Sequence, residues 1–139
     1  MKDGVCWIIL SVTVYYCMKK FPSIKKNSEY RVVYNSGRSY AYGVLVMYCA
    51  DNGLDHNRLG ISVSKRVGNS VIRHTFCRKI REIFRLNNKY TVQGKDIIVV
   101  ARSRAGEVPY EKLNRYYIKL LGEHGLISGS PDRDSGIYK

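Results

Sequence analysis

The chain has 139 residues, a formal net charge of +13 at pH 7 and a pI of about 9.7. This length suits one domain with a modest core, and a hydrophobic content of 45% argues against a disordered basic tail. The excess of positive charge favours a polyanionic partner, which is either nucleic acid or an anionic membrane surface.

The cysteines and histidines are too scattered to predict a metal site or a disulfide framework. No C-x-x-C spacing occurs in the sequence, and no histidine pair stands at metal-ligand spacing. These residues are Cys6, Cys17, Cys49, Cys77, His56, His74 and His124. Reduced thiols in the cytosol are the simplest interpretation.

The first 17 residues are mostly apolar. The run from Val5 to Cys17 is shorter than the roughly 20 residues that a spanning helix needs, and no small-residue cleavage site follows it. We expect the native protein to begin at Met18, with residues 1–17 added by the choice of an upstream start codon. A hydrophobic anchor is the alternative, and N-terminal mass analysis of the native protein distinguishes the two.

Residues 24–37 predict a short helix that is capped by Asn27 or Ser28 and ended by Gly37. Tyr30 and Tyr34 are one turn apart and share a face of this helix. That face either packs on a sheet or presents its rings to a ligand.

Three strands are predicted next, over residues 37–42, 43–50 and 58–63. Tyr48 shares one face of the second strand with Val44 and Val46. The polar segment 50–57 carries Asn52-Gly53, a pattern typical of a hairpin turn.

Residues 64–69 predict a turn, and residues 70–86 a helix capped by Asn69 or Ser70. At about 100° per residue, one side of the helix is apolar and the opposite side is cationic. The apolar side comprises Ile72, Phe76, Ile80, Ile83 and Phe84. The cationic side comprises His74, Arg78, Arg81 and Arg85, and Glu82 is the only acid in the helix. Charge of one sign favours a polyanion over a merely solvated face.

The last part of the chain predicts a polar loop over residues 87–94, a central strand over 95–101, a loop over 105–108 and a helix over 110–123. Residues 127–139 are rich in Ser, Gly, Pro and Asp and are expected to fray. The element order α-β-β-β-α-β-α predicts a single α+β domain, an α/β sandwich with a mixed four-stranded sheet.

The turn and basic helix resemble the signature of the bacterial ribonuclease P protein subunit. The matching residues are Lys65-Arg66-Val67-Gly68-Asn69-Ser70-Val71-Ile72-Arg73, then Arg78 and Arg81-Glu82. The resemblance covers roughly residues 18–126 and implies a ribosomal-protein-like fold with a left-handed βαβ crossover. The family usually has Asn-Arg where this chain has His74-Thr75, and Lys where it has Cys77.

The resemblance implies two binding sites and no catalytic residue in the protein. The RNA subunit of ribonuclease P would bind a basic surface formed by Lys65, Arg66, Asn69, Arg73, His74, Arg78, Arg81 and Arg85. The 5′ leader of precursor tRNA would bind a leader cleft formed by Tyr30, Tyr34 and Tyr48, where the family usually carries Phe at the first two positions. The RNA subunit would hold Mg²⁺ and cleave, in the cytoplasm, with no obligate protein partner.

Two other functions compete with this interpretation. A generic RNA-binding or ribosomal-type module would use the basic surface without a leader cleft. A membrane-surface protein would use residues 1–17 and the positive charge. A helix-turn-helix DNA-binding protein fits poorly, because the basic helix follows a strand.

Overall fold

A computed structural model describes residues 22–128, which form one α+β domain with three helices and a four-stranded mixed sheet. The helices are α1 (Asn27–Ser36), α2 (Ser70–Asn87) and α3 (Tyr110–Glu123). The strands are β1 (Arg38–Tyr42), β2 (Leu45–Asp51), β3 (Arg58–Ser62) and β4 (Lys95–Ala101). Short 3-10 turns span Asn88–Tyr90 and Ala105–Glu107, where the sequence predicted plain loops.

The sheet has the strand order β1-β2-β4-β3. β2 pairs antiparallel with both β1 and β4, whereas β3 pairs parallel with β4. The predicted central position of β4 is therefore confirmed. The hairpin predicted at Asn52-Gly53 is wrong, because β4 lies between β2 and β3. Asn52 Oδ1 instead accepts a hydrogen bond from the backbone N–H of Leu54 (2.7 Å), which stabilises a local turn within a longer connection.

The two faces of the sheet carry two apolar clusters. The larger cluster lies between the sheet and helices α2 and α3, and it includes Phe76, Ile80, Ile97 and Leu113. The smaller one lies under α1 and is centred on Ile24, Val33 and Ile98. Strand alternation explains the division, because successive residues of β4 face opposite sides.

Helix α1 begins at Asn27, and neither Asn27 nor Ser28 caps it as predicted. Lys26 occupies the N-cap position, and Glu29 reaches back to accept hydrogen bonds from the backbone N–H groups of Lys25 (3.3 Å) and Lys26 (3.2 Å). The Glu29 carboxylate thus satisfies the backbone N–H group of the N-cap residue, which is the role of the N3 side chain in a capping box. The predicted end at Gly37 is confirmed.

The segment after α3 is more ordered than its composition predicts. Ile127 forms an antiparallel bridge with Thr91 and packs against the larger cluster, and the Ser128 N–H donates to the Tyr90 carbonyl at 2.6 Å. The prediction of a frayed tail is therefore wrong for residues 127–128. Residues 129–139 and the predicted N-terminal extension, residues 1–17, lie outside the described residues. Within residues 22–128, no helix has the length and apolarity to cross a bilayer.

Candidate nucleic-acid interface

The three tyrosines of the predicted leader cleft lie together between α1 and the sheet. The Tyr30 and Tyr34 ring centroids are 6.4 Å apart, and the Tyr34 and Tyr48 centroids are 4.8 Å apart with the rings nearly perpendicular. Tyr30 and Tyr48 pack against the smaller apolar cluster, whereas Tyr34 keeps 38% of its surface exposed. The cleft therefore has a fixed aromatic floor and one ring that is open to a ligand.

Strand β3 supplies two further parts of this cleft, Gly60 and Ser62, which the sequence analysis missed. Gly60 lies directly against Tyr30, since a Cβ atom there would stand 2.8 Å from the ring. Ser62 interacts with the Tyr34 hydroxyl, and burial raises the pKa of that phenol. The alternation of β3 places Gly60 and Ser62 on one face, which is the signal that could have identified them.

An ion-pair network holds the start of α1 against the sheet. Arg58 donates to both carboxylate oxygens of Asp96, at 2.8 and 2.6 Å, and to Glu29 at 3.3 Å. Asn52 donates a further bond to Asp96 (2.9 Å), whose side chain is nearly buried. These contacts connect α1, β3 and β4, and so position the helix that carries Tyr30 and Tyr34.

Glu29 and Arg58 have shifted pKa values because of these contacts. Hydrogen bonds from the α1 N-terminal backbone, followed by Arg58, lower the pKa of Glu29. Hydrogen bonding to Asp96 raises the pKa of Arg58 further above its usual high value. Asp96 is thus engaged in an ion pair with Arg58.

The turn before α2 carries the first cations of the basic surface. Val67 is buried and anchors the turn, which leaves Lys65 and Arg66 exposed. The predicted cap at Asn69 is confirmed, because its side-chain oxygen accepts from the Ile72 N–H at 3.0 Å. The side-chain NH₂ group of Asn69 is then left as its donor to other groups.

Helix α2 presents its cations away from the core, as its periodicity predicts. Arg78 and Arg85 are exposed, and His74 and Arg81 are half-buried. Arg85 pairs with Glu82 at 2.5 Å, so its charge is partly offset, whereas Arg73 is turned back to donate to the Gly68 carbonyl at 3.2 Å. The structure therefore places all eight predicted residues on the turn and on α2, with Arg78 among the outward-facing cations.

Ile72 and Cys77 of α2 differ in burial from what the sequence and the family pattern indicate. Ile72, predicted for the core, keeps 39% of its surface exposed, because it lies in the first turn of the helix against Gly68 and Gly106, which offer no side chains to cover it. Cys77 has no exposed surface and belongs to the larger cluster. The exchange of the family's usual Lys for Cys77 thus falls in the core of this chain.

Strand β3 connects the leader cleft to the basic surface. Ser62 lines the cleft at the end of β3, and the chain continues from there directly to Lys65 and Arg66. The first cations of the basic surface therefore follow the cleft residue Ser62 by three and four positions in the chain. Single-strand binding sites commonly combine stacking rings with such a charged path.

The described residues contain no group of three or more His, Cys, Asp or Glu side chains arranged to hold a metal ion. Most acidic side chains in residues 22–128 are engaged in ion pairs, such as Asp51 with Lys95 and Glu107 with Arg104. Burial raises the pKa of the Cys49 thiol to about 11, so this sulfur is protonated and a poor nucleophile at neutral pH.

The chain is similar to ribonuclease P proteins along most of its length. A family model described as Ribonuclease P matches residues 18–125. The ribonuclease P protein component of Lachnoclostridium phytofermentans is 45% identical over 113 residues, which are 81% of this chain and 97% of that protein. The corresponding protein of Natranaerobius thermophilus is 43% identical over 110 residues, or 79% of this chain and 96% of the relative.

Solved structures support the same relationship. A Staphylococcus aureus RNase P protein mutant with defective mRNA degradation activity has a TM-score of 0.74 and 36% identity, over 82% of this chain and 97% of that one. The RNase P protein from Thermotoga maritima has a TM-score of 0.67 and 28% identity, over 73% and 96%. Sequence and fold agree, and the chain belongs to the ribonuclease P protein family.

Proposed function

We propose that this protein is the subunit of ribonuclease P that binds both the RNA subunit and the 5′ leader of precursor tRNA. The observation that carries the proposal is the convergence of Tyr30, Tyr34 and Tyr48 on a sheet face that leads through Ser62 to the basic surface. A merely structural aromatic cluster would not need an exposed ring at Tyr34.

In this proposal the basic surface binds the phosphates of the RNA subunit. Each contact releases counterions, so affinity falls steeply as salt concentration rises. Neutralising phosphates where substrate and RNA subunit meet lowers their mutual repulsion. The holoenzyme then requires less Mg²⁺ than the RNA subunit alone.

The leader cleft binds unpaired nucleotides upstream of the cleavage site. Base–aromatic stacking contributes about 1–3 kcal/mol per base and tolerates different bases, which suits leaders of differing sequence. Mature tRNA has no leader, so the cleft raises affinity for precursor over product. Product release and a broad substrate range both follow from this difference.

Cleavage is assigned to the RNA subunit, which would hold the Mg²⁺ ions that activate the attacking water. The protein's own contribution is to bind and orient the substrate. The proposal places the complex in the cytoplasm and requires neither a membrane nor an additional protein subunit.

The decisive experiment is cleavage of a precursor tRNA by a bacterial ribonuclease P RNA at low millimolar Mg²⁺, with and without this protein. We expect accurate 5′ cleavage only when both are present. Cleavage by the protein alone would reveal an active site within the chain. Tight RNA binding without any stimulation would favour a generic RNA-binding module, and sedimentation with anionic liposomes would favour a membrane-surface protein.

A further inference from the structure

A second exposed aromatic ring lies at the tip of the β1–β2 hairpin. Tyr42, the last residue of β1, keeps 45% of its surface exposed. Its ring lies 5.4 Å from that of Tyr116 on α3, nearly perpendicular to it, and Lys119 Nζ stands 5.8 Å from the Tyr42 centroid. Exposure combined with fixed contacts gives a ring that is held in place before any ligand arrives.

The turn after Tyr42 is shaped to hold this arrangement. Gly43 has a φ of 61°, and a Cβ atom there would lie 2.7 Å from the Tyr116 ring. Tyr116 is therefore in direct contact with the turn as well as with Tyr42. A side chain at position 43 would displace it, so glycine keeps both rings in position.

Cations surround the ring on α3 and at the end of β4. Lys112 and Lys119 are exposed and lie four and three residues from Tyr116 on α3. Arg115, also exposed, lies three and four residues from these two lysines. Arg102 is held at the hairpin by bonds from its Nη1 to the Gly43 carbonyl (3.2 Å) and from its N–H to the Val44 carbonyl (2.8 Å).

Acidic side chains on α3 offset only part of this charge. Glu123 lies 3.7 Å from Lys119, and both side chains are about half exposed, so the pair contributes little. Glu111 lies in the first turn of α3. The four cations, Arg102, Lys112, Arg115 and Lys119, exceed these two acids.

This surface lies on the opposite side of the sheet from the leader cleft. Tyr40 and Tyr42 face α3, where Tyr40 contacts His124 at 4.7 Å and Tyr42 contacts Tyr116. Ser39, which is paired with Tyr48, faces the other side by strand alternation. One strand of RNA in the leader cleft would not reach Tyr42 without passing around the edge of the sheet.

We infer that Tyr42, together with Arg102, Lys112, Arg115 and Lys119, forms a second binding surface for unpaired RNA. One base stacks on Tyr42, and the neighbouring phosphates contact the α3 cations and Arg102. Aromatic rings set among cations are the recurring chemistry of single-strand binding. The nucleotides come either from the RNA subunit or from the substrate, and both present the same base and phosphate chemistry.

The test uses the full chain carrying Tyr34→Ala as the background protein, so that no base can stack on the Tyr34 ring in the leader cleft. A fluorescent oligouridylate of about 12 nucleotides, within the usual range of single-strand site sizes, serves as the probe. We expect Tyr42→Ala to weaken its binding at least about fivefold, the effect of losing one stacked base. Tyr42→Phe, which keeps the ring, should bind like the background protein.

Tyr42→Leu is the control for a loss of binding that is caused by destabilisation, because leucine keeps apolar contact with Tyr116 but has no aromatic face. It should bind as weakly as Tyr42→Ala while unfolding at nearly the background temperature. Lys119→Gln should lower the salt dependence of log K by about 0.7, the value for one single-strand phosphate contact. The inference would be overturned if the Ala, Leu and Phe variants all bound the probe like the background protein. An equal loss of affinity in all three would overturn it as well.

Two further arms identify the source of the RNA. Tyr42→Ala alone is titrated with ribonuclease P RNA and, in the assembled holoenzyme, with precursor tRNA. Weaker binding of the first assigns the surface to the RNA subunit, and weaker binding of the second assigns it to the substrate. If Tyr42→Ala changes neither titration, the inference is overturned. The proposed function would still stand, because it is tested by cleavage with the unaltered protein.

Discussion

Gly60 of β3 and Tyr30 of α1 touch so closely that position 60 has no room for a side chain. An ideal Cβ atom there would lie 2.8 Å from Cε1 of the tyrosine ring and 2.9 Å from Cζ and the hydroxyl oxygen. The Tyr30 ring of the leader cleft therefore packs directly on Gly60, in the middle of β3, although glycine usually weakens a strand at such a position.

Gly60→Ala should displace Tyr30 and destabilise the protein by roughly 1–3 kcal/mol, the usual cost of overpacking. Urea denaturation measures the loss. Gly122→Ala in α3 is the matched control, because its Cβ would be 3.8 Å from Ile127, and in a helix it should stabilise by up to about 1 kcal/mol. A Gly60→Ala protein as stable as the wild type would contradict the close contact.

Tyr34→Ala should weaken binding of precursor tRNA to the holoenzyme and leave mature tRNA binding unchanged. Loss of one stacked base predicts about a fivefold effect or more. Tyr34→Phe keeps the ring but loses the hydroxyl that interacts with Ser62, so it separates stacking from hydrogen bonding. Equal losses for precursor and mature tRNA would count against a leader cleft.

Arg78→Ala should weaken binding to the RNA subunit and reduce the slope of log K against log salt by about 0.9, the value for one phosphate contact. Arg31→Ala is the charge-matched control, since Arg31 is exposed on α1, which packs on the other face of the sheet. The same reduction in both variants would show a general effect of net charge instead of a contact at α2.

Asp96→Ala should destabilise the protein by about 3–5 kcal/mol, because it leaves the partly buried Arg58 without its bidentate partner. Asp51→Ala provides the comparison: Asp51 pairs with Lys95, but its side chain is 83% exposed, and surface pairs contribute about 0–1 kcal/mol. Thermal unfolding of both variants measures the difference. Similar small losses would mean that Glu29 alone suffices to hold Arg58.

Stability should fall as the pH drops through about 6.5, the ordinary pKa of histidine in an unfolded chain. Burial lowers the pKa of His124 in the folded protein, where its Nε2 donates to the Met47 carbonyl at 2.9 Å. The unfolded state therefore binds more protons in this range, which favours unfolding at lower pH. Glu29, whose pKa is also lowered, affects stability only near and below pH 4.5.

Comparing unfolding temperatures at pH values above and below this range tests the assignment to His124. His124→Gln should flatten the dependence, because glutamine does not titrate. His74→Gln, at a half-buried position on α2, is the control and should keep it. A pH dependence that persists in His124→Gln would assign the effect to another group.

Local patterns were sufficient to predict most of helix α2. Its capping by Asn69, the buried side of Phe76, Ile80 and Ile83, and its outward cations follow from residue spacing alone. Ile72 has the same spacing but keeps 39% of its surface exposed, because its neighbours Gly68 and Gly106 have no side chains to cover it. Gly106 is distant in the chain, so local spacing could not predict this contact. Periodicity predicts which side of a helix is apolar, but not whether other parts of the protein cover every residue on that side.

The order of the elements, the nearly uniform sign of charge on α2 and the resemblance to the ribonuclease P protein family could all be predicted from the amino-acid sequence. Each depends on residues close together in the chain. The tertiary structure was needed to show that β2 and β3 form no hairpin, that the Tyr34 and Tyr48 rings meet nearly perpendicular, and that Arg58 pairs with Asp96 across 38 positions. The physical reason is that strand order and ion pairing depend on long-range contacts, for which local spacing carries no information.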